Sequence, residues 1–458
     1  MLGLRKTIDA VGELAAAVKS GRRVVSISGL TSTVSKAFVL EQLRTATGRR
    51  FVIITDSNTS ADSWQEDLAF FGGFADSPPS VVELPSFETD VYAGVSPHAE
   101  TLERRALALW QMVHSNPDFV LLPPRALISR MITPTEIGSL GVFLKLGEDM
   151  SPELLIEGLE SSGYVREDPI FNVGQFSVRG GIIDVWSPQR EFPCRIEFFG
   201  ETVDSIREFD PATQLSTGQV KSVEIAPMRE FAVRPEHFRE WADAAAREFA
   251  DERSARTLKD RTDFALQGES FSGWEFLLPL TRPLGGTVFD YLSDVIFVID
   301  EPSLIESGLK KFYDDSELHH RSLLESGDVG LEPAKLFQTP DELRKQLSGA
   351  SLIELRALGM TAAATDEEFA VSESSTPDGS LLFLFPTAEK PPSFEIISRP
   401  NRKFDGRVAD FASYAKSHTG DNIFAMQTKG MAERIEEILR DYEVTAEAGS
   451  IVIGTLSG

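Results

Sequence analysis

Cysteine is almost absent: Cys194 is the single one in 458 residues, so no disulfide can form within the chain. That usage fits a reducing cytosol. Histidine is scarce as well, with six in all. Only His319 and His320 adjoin, and neighbours on a helix face apart, so the spacing that metal ligation needs is missing. No apolar run approaches the roughly 20 residues of a membrane span. The opening stretch is broken by Asp9 and Glu13 and reads as an amphipathic helix rather than a secretion signal. Basic residues are in deficit, 45 Lys and Arg against 71 Asp and Glu, for a formal charge of −26. Such a surface repels phosphate, which argues against extended contact with DNA unless a basic patch is segregated. These deficits together point to a cytoplasmic protein without a membrane partner.

What is present is ordinary globular material, 41% hydrophobic and 25% charged, long enough for three or four domains. From Arg23 to about Thr135, short apolar strands alternate with helical segments. Strands are expected at 23–28, 51–55, 81–84 and 119–122, and a helix carries Leu102, Ala106, Leu109 and Val113 on one face. That alternation predicts a parallel sheet covered on both sides, an α/β layer of the RecA type. From about 136 to 228 the pattern turns to β. Gly174 to Asp210 alternates at period two, with strands expected at Ile182–Trp186, Cys194–Phe199 and Thr202–Phe209. Gly180-Gly181 reads as a bulge or a close backbone approach, and Gly200-Glu201 as a hairpin turn. The module reads as an insertion into the α/β pattern.

Residues 229–335 become helical and acidic before reaching the apolar strand Asp294–Asp300. Residues 336–458 read as a small, separate α/β unit with a polar loop at Val371–Gly379 and strands near 422–428 and 451–454. The chain stops directly after that last strand without a closing helix, which reads as the cut end of a longer protein.

The turn after the first strand, Gly29 to Lys36, sits where a phosphate-binding loop would. A working loop needs glycine, lysine and a hydroxyl residue at its last three positions, where Val34, Ser35 and Lys36 stand. Sliding the register by one keeps Lys36 but puts Leu30, Ser35 and Ala37 at the two glycine positions and the hydroxyl position. A side chain there obstructs the backbone nest around the phosphates. Gly29 and Lys36 therefore read as a degenerate loop that still builds the fold. Asp300 and Glu301 end a buried strand as the acidic pair of an ATPase does, but without a phosphate loop the pair reads as vestigial. Neither catalysis nor a cofactor is expected of this chain. Arg166, Arg179 and Arg195 lie on or beside half-exposed strands, with Glu197 two residues after Arg195. Guanidinium groups make common interface anchors, while internal ion pairing on a solvated sheet face is the plain alternative.

FSVRGGIIDVW, RIEFFGETVDSIREFD and EIAPMREF resemble the module shared by UvrB of nucleotide excision repair and the bacterial transcription-repair coupling factors (Mfd). LPSFETDVYAGVSPHAETLERR, FVLLPPRALISRM, GWEFLLPL, VFDYLSDVIFVIDEPS and NIFAMQTKGMAERIEEILRDY extend the resemblance to the coupling factors over nearly the whole chain. UvrB itself carries an intact phosphate loop, so the degenerate loop favours the coupling factors over the alternative reading, a UvrB-type ATPase or helicase subunit.

The resemblance implies a UvrB-like domain 1a at 1–135, a UvrA-binding domain 2 at 136–228, domain 1b at 229–335 and domain 3 at 336–458. It implies an adaptor that recruits UvrA to stalled RNA polymerase and helps restrain a motor. It also implies that Arg179 is the firmest match to the UvrA-binding surface, with Arg166, Arg195 and Glu197 looser matches. RNA polymerase, double-stranded DNA, ATP and magnesium belong, on the same resemblance, to motor and polymerase-binding domains that this sequence does not contain.

Overall fold

A computed structural model describes residues 2–75, 77–357, 392–399, 402–417, 422–444 and 450–457. The expected polar loop at Val371–Gly379 lies outside the described residues.

Four strands come first: β1 (Val24–Ser28), β2 (Arg50–Ile54), β3 (Val81–Glu83) and β4 (Phe119–Leu122). Helices α1 (Thr33–Thr47) and α2 (Asn58–Gly72) follow β1 and β2. Ser32 and Ser57 cap these helices by accepting from the backbone N–H groups of Ser35 and Ser60. Six strands then build a separate sheet: β5 (Val165–Arg166), β6 (Gln175–Arg179), β7 (Ile182–Val185), β8 (Cys194–Phe199), β9 (Thr202–Phe209) and β10 (Ser216–Gln219). Afterwards β11 (Val295–Asp300), β12 (Ser351–Arg356) and β13 (Ser393–Glu395) return to the first sheet. Its order is β13-β1-β12-β11-β2-β4-β3, and every pairing in it is parallel.

The apolar runs of these strands are explained by burial on both faces. Phe51, Ile53, Ile27, Val298 and Leu355 pack beneath α1 and α2 with Leu40, Trp64 and Leu68. Val52, Ile54, Val120, Phe297 and Ile299 pack on the other side with Trp241, Leu109 and Leu309. The fold is therefore multidomain α/β, a parallel sheet carrying a β-rich insertion. One expectation changes. Ser351–Arg356, assigned from sequence to a separate unit beginning at 336, is a central strand between β1 and β11, and Ser393–Glu395 is the edge strand beside β1. Parallel strands are joined by long crossovers, so their neighbours in space need not be neighbours in sequence.

The second sheet has the order β10-β9-β8-β7-β6-β5. Its inner face buries Phe176, Ile183, Val185, Cys194, Ile196, Val203 and Ile206 against Leu155 and Leu159 of the helix Pro152–Ser161. Gly180-Gly181 is not a bulge but does mark a close backbone approach, since a Cβ on Gly181 would stand 3.0 Å from the Phe198 carbonyl oxygen. The register pairs Arg179 with Ile182, so the two glycines are the loop of a hairpin, with Gly180 at φ 62°. The register shifts in this sheet fall instead at Glu197/Phe198, against β9, and at Glu208/Phe209, against β10.

Candidate functional site

Two places hold the residues singled out by sequence: the loop after β1 and the β-rich sheet.

At the loop, Lys36 lies on the first turns of α1 and Asp300 and Glu301 at the end of β11. The sheet order brings these elements to one edge. Lys36 Nζ donates to Asp300 Oδ1 at 2.5 Å and to Glu301 Oε1 at 2.9 Å, and the lysine side chain is only 7% exposed. The indole N–H of Trp64 donates to the other Asp300 oxygen at 3.0 Å, and the Ala357 N–H donates to Glu301 at 2.7 Å. Burial works to lower the Lys36 pKa, but the two adjacent carboxylates outweigh it and hold the ammonium above its ordinary value. Glu301 sits at φ 57°, an uncommon conformation for a residue with a side chain, and these contacts hold it there.

The loop itself is closed by its own chain. The Thr31 N–H donates to Ser398 Oγ at 2.8 Å, the Ser35 N–H to Ser32 Oγ, and the Ser398 N–H to the Gly29 carbonyl at 2.9 Å. Gly29, at φ 89°, lies so near Ile396 that a Cβ would stand 2.8 Å from the Ile396 carbonyl oxygen. The backbone N–H groups of Gly29, Thr31, Ser32, Ser35 and Lys36 are engaged within the protein, and the lysine ammonium is committed to two carboxylates. Among the described residues no group of three or more His, Cys, Asp or Glu side chains is placed to hold a metal ion.

On the β-rich sheet, cross-strand register decides which side chains share a face. Ser177, Asp184, Arg195 and Arg207 face one another across β6, β7, β8 and β9. Arg179 and Glu197, each two residues further along, share that face. Arg166 pairs with Phe176, so it belongs to the opposite side and is separated from the other candidates. It is exposed and forms no ion pair among the described residues. Arg195 grips Asp184 in a two-pronged fork, Nε to Oδ1 at 2.7 Å and Nη2 to Oδ2 at 2.8 Å, and stacks over the Phe209 ring at 4.6 Å. Arg179 Nη2 also donates to Asp184 Oδ2, at 3.0 Å, and its Nε lies 3.4 Å from Asp168. Glu197 accepts from Arg207 and from Ser205 Oγ.

These contacts separate the candidates. Arg195, 19% exposed, and Glu197 are held inside the sheet's own network, whereas the Arg179 side chain stays 47% exposed. Asp184, which sequence reasoning did not single out, is the hub and is 1% exposed. An acid inside an otherwise apolar strand, IIDV, was the available signal. Phe199, at the tip of the β8–β9 hairpin, is 83% exposed.

The family model for the UvrB interaction domain matches residues 142–231, which contain this whole sheet. Curated relatives named transcription-repair-coupling factor are similar over much more of the chain. That of Myxococcus xanthus is 28% identical over 93% of this chain and 35% of its own length. The Rickettsia conorii protein is 30% identical over 63% of this chain and 26% of its own. The Escherichia coli protein is 23% identical over 80% and 30%. The chain thus spans about a third of the length of the relatives it matches. With the family match centred on the arginine-bearing sheet and the similarity extending through the parallel sheet, the chain is similar to the transcription-repair-coupling factors and matches the UvrB interaction domain over residues 142–231.

Proposed function

We propose that this chain is a non-catalytic adaptor that recruits UvrA through the outer face of the β-rich sheet. One observation carries the reading: the UvrB interaction domain match covers the sheet on which Arg179 stands half exposed. The geometry of the loop after β1 supports the non-catalytic half. A lysine held by the acidic pair, and loop N–H groups of Thr31, Ser32, Ser35 and Lys36 held by the chain itself, are poorly disposed to take up ATP. In a protein of the relatives' length, the adaptor would serve a translocase that acts on double-stranded DNA and RNA polymerase, bringing UvrA to stalled transcription in the cytoplasm and restraining the motor until needed. No helix among the described residues is long and apolar enough to cross a membrane.

The test is a surface-binding assay of UvrA against the chain and its Arg179→Ala variant, with thermal melting as the folding control. Arg179 is partly solvated and already shared with Asp184, so its loss should weaken binding by about tenfold, less than for a fully desolvated pair. Arg166→Ala, on the other side of the sheet by register, should change affinity less. A wild-type chain that does not bind UvrA overturns the reading.

A further inference from the structure

We propose that Asp184 is the positioning residue of this interaction face: it presents the Arg179 guanidinium to the partner and makes no partner contact itself. The inference rests on the UvrA-recruiting reading above. It follows from a chain of contacts that runs from the core outward. Phe209, fully buried, carries the Arg195 guanidinium on its ring. Arg195 fixes both oxygens of Asp184 through its fork, which sets the plane of the carboxylate. The oriented Oδ2 then accepts from Arg179 Nη2. At 1% exposure Asp184 has no surface to offer a partner, while Arg179 has nearly half of its own.

A free arginine on a hairpin end would lose rotamer freedom on binding; one already tethered loses less, which favours affinity without adding a contact. The local charge supports the same arrangement. Two guanidiniums share one buried carboxylate, and Arg179 is the more exposed of the two. Asp168, at 3.4 Å from Arg179 and itself half exposed, is the counter-charge that an acidic group on a partner would displace.

A double-mutant cycle on UvrA affinity distinguishes positioning from a plain structural role. Asp184→Asn should weaken binding about as much as Arg179→Ala, roughly tenfold. The double variant should be no worse than either single one, because both remove the same presented guanidinium. Losses that multiply to about a hundredfold, or an Asp184→Asn protein that binds as tightly as wild type, overturn the proposal.

Arg179→Lys covers the case in which Asp184→Asn does not fold. Arg179 meets Asp184 through Nη2 and Asp168 through Nε, two edges of a planar fork that a compact ammonium does not span, so this variant should lose nearly as much affinity as alanine. Lysine restoring affinity to within threefold of wild type would show that charge alone matters and would overturn the positioning role. Binding by wild type together with multiplicative losses removes only Asp184; no binding by wild type removes the recruiting function itself.

Discussion

Replacing Lys36 by methionine keeps the length and the apolar stem of the side chain and removes only the ammonium. Asp300, buried at the end of β11, would keep its indole donor from Trp64 but lose the cation 2.5 Å away. Glu301 would keep the Ala357 N–H and, being 30% exposed, could draw on water. Breaking a buried pair by removing one partner typically costs about 3–5 kcal/mol, and the partial solvation of Glu301 puts this case near the lower end, about 3 kcal/mol. For a region of this size that corresponds to a fall of roughly 6–12 °C in the melting temperature of the α/β sheet. Thermal denaturation followed by circular dichroism measures it. The folded lysine titrates above its ordinary value, so its stabilising effect is complete through neutral pH and fades only in strong alkali, as pH rises through that raised value. The wild-type difference should therefore be present at pH 8. Adding Asp300→Asn to the lysine variant should restore part of the loss, because a neutral amide no longer needs a counter-ion. A Lys36→Met protein that melts within 2 °C of wild type at pH 8 would refute the idea that the remnant site is held closed by its own ion pairs.

Two further outcomes follow from the same geometry. Isothermal titration with Mg-ATP should register no binding up to millimolar concentration, and a micromolar dissociation constant would restore the ATPase-subunit alternative. Glu354, in the centre of the sheet, is pushed up to about 7 by burial, which the neighbouring Arg356 only partly offsets. Its folded value lies above its unfolded one, so it costs stability progressively as pH rises from about 4.5 to about 7. Glu354→Gln should accordingly be better tolerated, relative to wild type, at pH 8 than at pH 5; a difference independent of pH would sink that account.

The sequence by itself determined several of the strands and the class of fold, and it carried the expectation of a degenerate loop. Cys194–Phe199 and Thr202–Phe209 were legible because a half-buried strand repeats every two residues, a property of the local backbone. The buried strands at 51–55, 119–122 and 294–300 were legible as apolar runs between helical segments. Val34 and Ser35 could be read as incompatible with a phosphate nest without any coordinates, because glycine's requirement there is local too. Tertiary structure alone decided who meets whom. Lys36 and Asp300 are 264 positions apart, and Thr31 and Ser398 are 367 apart. No spacing rule connects them, because parallel crossovers of unspecified length bring those strand ends together. The same holds for Ser351–Arg356, whose composition fits a strand but not its place between β1 and β11. On the β-rich sheet, period two gave Arg179 its side of one strand but left unknown the register between strands. Register put Asp184 between two arginines, turned Arg195 and Glu197 inward to their own network, and set Arg166 on the other side. Periodicity is a property of neighbouring residues, whereas register and sheet order are settled by the packing of the whole core.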